Sequence, residues 1–284
     1  TSTTRAAVGR KMPVIGDVRD LWPDAFAVGK REQLASLARL GGRVISQELR
    51  LATATTAVTE PMLQWIPGSA RGEVVPIGMS DRPLDPSLQP SDNAGLQACF
   101  VSGHSHGFVF EPVLRGWARY VAEISTTIDG PLEADAPRLA FIGAPPSDDG
   151  AIALAEADPT VELVGRVPAD EVATRLNSVD IGLYPSRQSW AYSLGNKVFD
   201  YLSSGLYLLH SIEPGVSADI DRAGVGHRVE ANGDGWYRAF TDLHARRQQL
   251  RAERPERIDA ARAHYGPAAT TERLCEIIER IDRI

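Results

Sequence analysis

Cysteine is nearly absent: Cys99 and Cys275 are the only two in 284 residues. They lie far apart and match no metal-ligand spacing, which excludes the disulfide framework of a small secreted domain. They read as buried or surface thiols in a reducing compartment. No apolar run approaches the ~20 residues needed to span a bilayer, and the opening stretch TSTTRAAVGRKM lacks the apolar core of a signal peptide, so a cytoplasmic location is expected. A basic surplus is also missing. Thirty Lys and Arg against 37 Asp and Glu give a formal net charge of −7, which excludes a general nucleic-acid binder and leaves room for a local basic site.

What is present is the composition of a soluble chain with a substantial interior: 43% hydrophobic and 24% charged residues. At roughly 150 residues per domain, the length suggests about two domains. Short β-like runs alternate with longer helical stretches, the pattern of a parallel sheet wrapped by helices. MPVIGDV, TTAVTE and EVVPIGM read as strands of a first unit, with a helical stretch KREQLASLARLGGRVISQELRLATA between the first two. A polar, Pro-rich segment, SDRPLDPSLQPSDNAG, then reads as an interdomain linker. Beyond it LQACFVSG, RLAFIGA, VELVGRV, DIGLYPS and GLYLLHS read as strands, with helices around 111–124, 169–178, 196–204 and 217–223. The expected organisation is a domain over 1–80, a linker over 81–95, a second domain over 96–265, and a final helix over 266–284 packing back on the protein.

In a doubly wound sheet, ligands bind beyond the carboxyl ends of the strands. There the stretch SLGNKVFDYLSSGLYLLHSI places Asn196, Lys197 and Asp200 at the start of a helix. Asn196 suits an N-cap, and the positive end of a helix welcomes an anion. Lys197 in the first turn opposes that dipole unless an anion such as a diphosphate is close, and Asp200 one turn later can accept hydrogen bonds from sugar hydroxyls. On spacing alone, a capped helix with Lys197 in water and Asp200 favouring the helix start explains the same residues.

The segment SLGNKVFDYLSSGLYLLHS resembles the donor site of bacterial glycosyltransferases of the GT-B fold, in the large retaining family numbered four. There an Asn-Lys pair precedes Phe-Glu-Tyr-Leu-Ala-x-Gly and an apolar strand. VELVGRVPADEVATRLNSVDIGLYPS and IEPGVSADIDRAGVGHRVEANGDG fit the same pattern, and PVIGDVRDLWPDAF with EVVPIGMS resembles the later part of the acceptor domain. The resemblance implies two Rossmann-like α/β domains and a hexosyltransferase moving sugar, with retention, from a nucleotide sugar, UDP- or GDP-linked. The acceptor implied is a glycan or lipid-linked molecule of cell-surface polysaccharide or glycolipid assembly. No cofactor and no metal are implied.

By position, Ser193, Leu194, Gly195, Asn196, Lys197 and Asp200 bind the donor, with Gly103, His104 and Arg166 beside them. Lys197 and Asp20 carry catalysis, and Arg19, Asp20 and Glu60 face the acceptor. Asp200 replaces the family's ribose-binding Glu, and Tyr192 stands where the family often has a sugar-contacting Glu. The loop SGHSHGFVF lacks the family's basic residues; Gly103 and Gly107 permit close backbone approach, and His104 or His106 can donate to phosphate.

Other features read more plainly. The His-x-His pair lacks further metal ligands. DID at 219–221 reads as a solvated face of a helix ending at Gly224, because residues two apart do not face the same way. HARRQQLRAERPERIDAARAH reads as an exposed helical face with interspersed acids; contact with an anionic membrane or lipid-linked acceptor at the inner face of the membrane is the other reading. Leu274, Ile277, Ile278 and Ile281 form the apolar side of the last helix. Arg19 and Asp20 either line the cleft or make a strand-end salt bridge. Trp22 reads as core and Gly78 as a turn residue.

A complete acceptor domain of this fold has further strand-helix units before MPVIGDV, about a hundred residues by usual α/β domain size. The first domain is therefore expected to be incomplete, its remainder absent or supplied by a partner chain. The other function compatible with this is a non-catalytic GT-B-like partner that stabilises or regulates another transferase.

Overall fold

Short runs of three to six residues, most of them rich in apolar or β-branched side chains, become strands, and the longer stretches between them become helices. The computed structural model describes residues 7, 9–10, 12–19, 41–42, 44, 47–65, 72–81, 85–90, 95–105, 107–126, 136–187 and 194–283. Asp20, Trp22, His106, Tyr192 and Ser193, and most of the helical stretch between the first two strands, lie outside them.

The N-terminal part holds β1 (Ile15–Val18), β2 (Ala54–Ala57), α1 (Glu60–Trp65) and β3 (Gly72–Val74). The strands pair in parallel in the order β1-β2-β3. After Gly78, which takes a left-handed φ of +88°, the chain passes a short 3-10 turn and enters the second sheet. That sheet comprises β4 (Gln97–Ser102), β5 (Arg138–Gly143), β6 (Val161–Gly165), β7 (Ile181–Tyr184), β8 (Tyr207–His210) and β9 (Gly226–Arg228). All its pairs are parallel, in the order β6-β5-β4-β7-β8-β9. The order reverses between β4 and β7, so the crevice beyond their carboxyl ends is the place where this topology binds ligands.

The helices are α2 (Glu111–Ser125), α3 (Asp149–Ala157), α4 (Ala169–Asn177), α5 (Asn196–Ser203), α6 (Pro214–Arg222), α7 (Gly233–Ala245), α8 (Arg247–Ala252), α9 (Arg254–Tyr265) and α10 (Pro267–Ile281). The core runs from Phe100, Phe110 and Phe141 at the sheet to Trp117, Trp236 and Phe240 between α2 and α7. Met62 and Leu63 of α1 join it from the N-terminal part.

The Arg-rich segment is not an exposed face. Arg251, Arg254 and Arg257 are buried. Arg254 donates to the carbonyls of Ser204, Asn177 and Leu176 at 2.7–2.8 Å, and Arg257 to that of Gly205 at 3.1 Å. These carbonyls end α4 and α5, where helices leave acceptors unsatisfied and cations are favoured. The last helix also departs from its pattern: Ile277 and Ile281 pack with Ala54, Val75 and Ile15, while Leu274 and Ile278 stay 38% and 43% exposed. One turn of spacing separates the two buried residues, a narrower stripe than the four apolar residues suggested. Arg280 pairs with Glu73 at 2.6 Å, fixing α10 to the N-terminal sheet.

Candidate functional site

β4 and β7 pair only at Ala98 with Ile181 and Cys99 with Gly182. Toward their carboxyl ends the gap is bridged by Tyr201, whose hydroxyl accepts from the Val101 N–H at 2.8 Å and donates to the Leu183 carbonyl at 3.5 Å. Tyr201 belongs to α5, whose Val198, Phe199, Tyr201 and Leu202 are all buried. This anchorage aims the start of α5 at the crevice. Gly195, in extended backbone, is the N-cap, and Asn196 is the first helical residue, with an exposed side chain. The expected Asn196 cap is therefore shifted by one residue: the sharp entry follows Leu194, which is buried at the crevice.

Lys197 extends into the crevice. Its Nζ donates to Ser102 Oγ at 3.0 Å and lies over three rings, 3.7 Å from the centroid of Phe108, 4.7 Å from Phe100 and 5.6 Å from Tyr184. Burial lowers this amine from the ordinary 10.5 to about 7. Tyr184 also accepts from the Gly195 N–H at 3.2 Å, tying the end of β7 to the helix entrance. Asp200 sits one turn into α5, half-buried and already engaged with other groups.

The loop after β4 is held from both sides. Ala144 N–H donates to the Ser102 carbonyl at 2.7 Å. Gly143, with φ +104°, allows this approach, because a Cβ there would stand 2.1 Å from the same oxygen. His104 is exposed and its N–H donates to Ser102 Oγ at 3.2 Å. Arg166, exposed after β6, reaches the Gly103 carbonyl at 3.4 Å. Further along, Val109 N–H donates to the Pro185 carbonyl and Arg187 N–H to that of Gly107, clamping the loop against the exit of β7. The structure thus gathers Gly103, His104, Arg166, Leu194, Gly195, Asn196, Lys197 and Asp200 around the switch point. Ser102, Phe100, Phe108, Tyr184 and Tyr201 complete the site and were missed in sequence. Ser102 and Tyr184 end their strands, a position legible in sequence, whereas Phe100, Phe108 and Tyr201 carry no such local mark.

In the N-terminal part, Arg19 makes the strand-end salt bridge, pairing with Asp17 at 2.6 Å, while Thr56 donates to the other oxygen of Asp17. Glu60 opens α1 at the exit of β2 and lines a cavity of about 270 Å³ between the two parts of the chain. Its other walls include Thr59, Leu194, Val216, Asp219, Tyr265 and Arg273. In the DID stretch Asp219 and Asp221 are exposed as expected, while Ile220 between them is buried. The helix closes at Arg222, and Asp221 binds the buried His210 at 3.1 Å and accepts from Ser217 at 3.1 Å. Burial pushes the Asp221 carboxyl up, but these hydrogen bonds and His210 outweigh it and hold the group below its ordinary value. Asp219, paired with Arg222, keeps the surface position expected of it as well. Among the described residues, no group of three or more His, Cys, Asp or Glu is placed to hold a metal ion.

No protein-family model and no curated protein sequence matches this chain. Solved structures do. A glycosyltransferase from Rickettsia africae superposes with TM-score 0.63 at 9% identity, covering 98% of this chain and 79% of its own. Anabaena HepE in complex with UDP-glucose gives TM-score 0.65 at 11% identity over 99% of this chain and 75% of its own. The fold is GT-B. WaaG, a glycosyltransferase involved in lipopolysaccharide biosynthesis, aligns over 90% of this chain and 72% of its own with TM-score 0.54 at 17% identity. Two separate parallel sheets, β1–β3 and the six-stranded one, agree with that assignment. Among the described residues, no helix is long and apolar enough to cross a membrane.

Proposed function

We propose that this GT-B chain is a retaining glycosyltransferase of the family-four type that takes its sugar from a UDP- or GDP-linked donor. The single observation that carries the reading is Lys197, a cation at the mouth of a topological switch point. Among the described residues its only partners are one hydroxyl and three rings. A diphosphate at the N-terminus of α5 would meet both the helix dipole and this amine. As negative charge grows on the leaving nucleotide, the same amine stabilises it, which is electrostatic catalysis. Asp200, one turn on, suits the ribose hydroxyls. The likeness to HepE, solved with UDP-glucose, supports a nucleotide sugar as ligand. The cavity beside Glu60 is where a glycan or lipid-linked acceptor would approach, and Asp20 is assigned to the same side by resemblance. No metal is needed in this scheme, because the helix and Lys197 supply the positive potential.

The test is calorimetric titration with UDP-glucose and GDP-mannose, with and without EDTA, followed by radiolabelled transfer to a lipid-extract acceptor pool. Binding that survives EDTA and transfer that is lost in Lys197→Ala support the proposal. Metal-dependent binding overturns the metal-free part. Binding without transfer under any acceptor supply favours the non-catalytic partner instead.

A further inference from the structure

An ammonium group in water is satisfied by several acceptors, since it carries three donors. Lys197 has one acceptor among the described residues, Ser102 Oγ, and the faces of Phe108, Phe100 and Tyr184 occupy the space where further ones would stand. Ring faces attract a cation, yet they replace only part of a hydration shell. The seat is built rather than incidental. Phe108 is buried, bridges to Ser186, and makes edge contacts with Phe100 and Tyr184 at ring-centroid distances of 4.9 and 5.2 Å.

Among the described residues, the charged and titratable groups around the seat are few. β4 and its loop bring His104, the β6 exit brings Arg166, and β7 with its exit brings Tyr184 and Arg187. Within α5 itself stand Asp200 and Tyr201. The Arg187 guanidinium donates to the Phe108 carbonyl at 3.4 Å, and Arg166 is turned to Gly103. None of these makes an ion pair with Lys197, and burial is the cause of its lowered affinity for a proton.

We propose that Phe108 is a positioning residue whose ring, with Phe100 and Tyr184, keeps the Lys197 amine short of acceptors, so that an arriving donor diphosphate supplies them and binding takes a proton from solvent onto Lys197. This rests on the donor-site reading above and adds to it a division of labour. The helix start attracts the anion, and the aromatic seat makes the lysine's charge conditional on the anion being there. The balance is one proton from buffer to Nζ on binding and the same proton returned on release, with no covalent change.

The experiment is titration of the full chain with UDP-glucose and with GDP-mannose, whose diphosphates keep a fixed charge, between pH 6 and 9 in pairs of buffers differing in ionisation enthalpy. Little proton uptake is expected at pH 6 and nearly one proton at pH 8.5. Affinity should fall by roughly tenfold per pH unit above the free amine's midpoint. Phe108→Leu keeps the niche dry but removes the ring's attraction, and the fall is expected to begin at lower pH. Phe108→Ser admits water, and the fall is expected to move above pH 8. The profile should persist in His104→Asn whatever that change does to absolute affinity.

A flat profile with no proton uptake overturns this proposal while leaving the donor site standing, and so does a profile that vanishes with His104→Asn. Failure of both nucleotide sugars to bind at pH 6 overturns the donor-site reading and this one with it. If Phe108→Ser does not fold, the wild-type profile and Phe108→Leu still decide.

Discussion

Arg251 and Asp180 form a two-pronged ion pair in the interior, Nε to Oδ1 at 2.8 Å and Nη2 to Oδ2 at 2.9 Å, with side chains 5% and 1% exposed. Asp180 also accepts from the N–H of Gln97, and Arg251 donates to the carbonyl of Gly95. The pair therefore sets the height at which β4 and β7 start, and so where their ends diverge around the crevice.

Removing one partner leaves a buried charge unmatched. Arg251→Met or Asp180→Leu is expected to lower unfolding free energy by about 3–5 kcal/mol, whereas the double change Asp180→Leu with Arg251→Met should cost clearly less than the sum of the two single changes. Urea denaturation of the four proteins checks this. A double variant as unstable as the sum of the singles would show that the pair stabilises beyond the avoidance of an orphan charge.

Gly143→Ala is expected to be damaging in two ways. The left-handed φ costs about 1–3 kcal/mol for a residue with a side chain, and the new Cβ collides with the Ser102 carbonyl. Because Ser102 holds Lys197, donor affinity should fall together with thermal stability. Normal affinity in a folded Gly143→Ala protein would separate Ser102 from the site.

Asp200→Ala is expected to weaken nucleoside diphosphate binding by about 10- to 100-fold, the loss of a charged hydrogen bond worth about 1.5–3 kcal/mol, while pyrophosphate binding changes little. Equal losses for both ligands would remove Asp200 from the ribose and assign it to the helix start.

Lys197 also makes stability depend on pH. Its amine titrates near 7 when folded and near 10.5 when unfolded, so between those values the unfolded chain binds the extra proton and stability rises with pH. Relative to Lys197→Met, the wild-type protein should gain about 1 kcal/mol per pH unit between pH 7.5 and 9.5. Denaturation curves at fixed ionic strength measure the difference. A constant difference would place the amine in water.

The architecture was legible where side chains announce their own burial. Runs such as LQACFVSG and GLYLLHS hold apolar residues fit for both faces of a covered sheet, and they are β4 and β8. β9 escaped because GHR is three residues long with two polar side chains, and it pairs at the edge of the sheet through its backbone. Asn196 and Lys197 were visible as the polar front of α5, but the seat beneath the lysine joins Phe100, Phe108 and Tyr184 from three places in the chain. No local spacing encodes that. The buried arginines misled for a related reason. Arg254 and Arg257 bind main-chain carbonyls at the ends of α4 and α5, which every sequence possesses and none displays, and Arg251 binds Asp180 from far along the chain.

The polypeptide passes between its two halves twice, once after Met79 and once between Tyr265 and Pro267. At Met79 the two passages touch, its N–H donating to the Tyr265 carbonyl at 2.7 Å, and the next residue, Ser80, is bound to Ser203 at the end of α5. The two chain crossings are pinned at one point. The cavity beside Tyr265 therefore lies next to the place where the two halves are joined both by covalent passage and by main-chain hydrogen bonding.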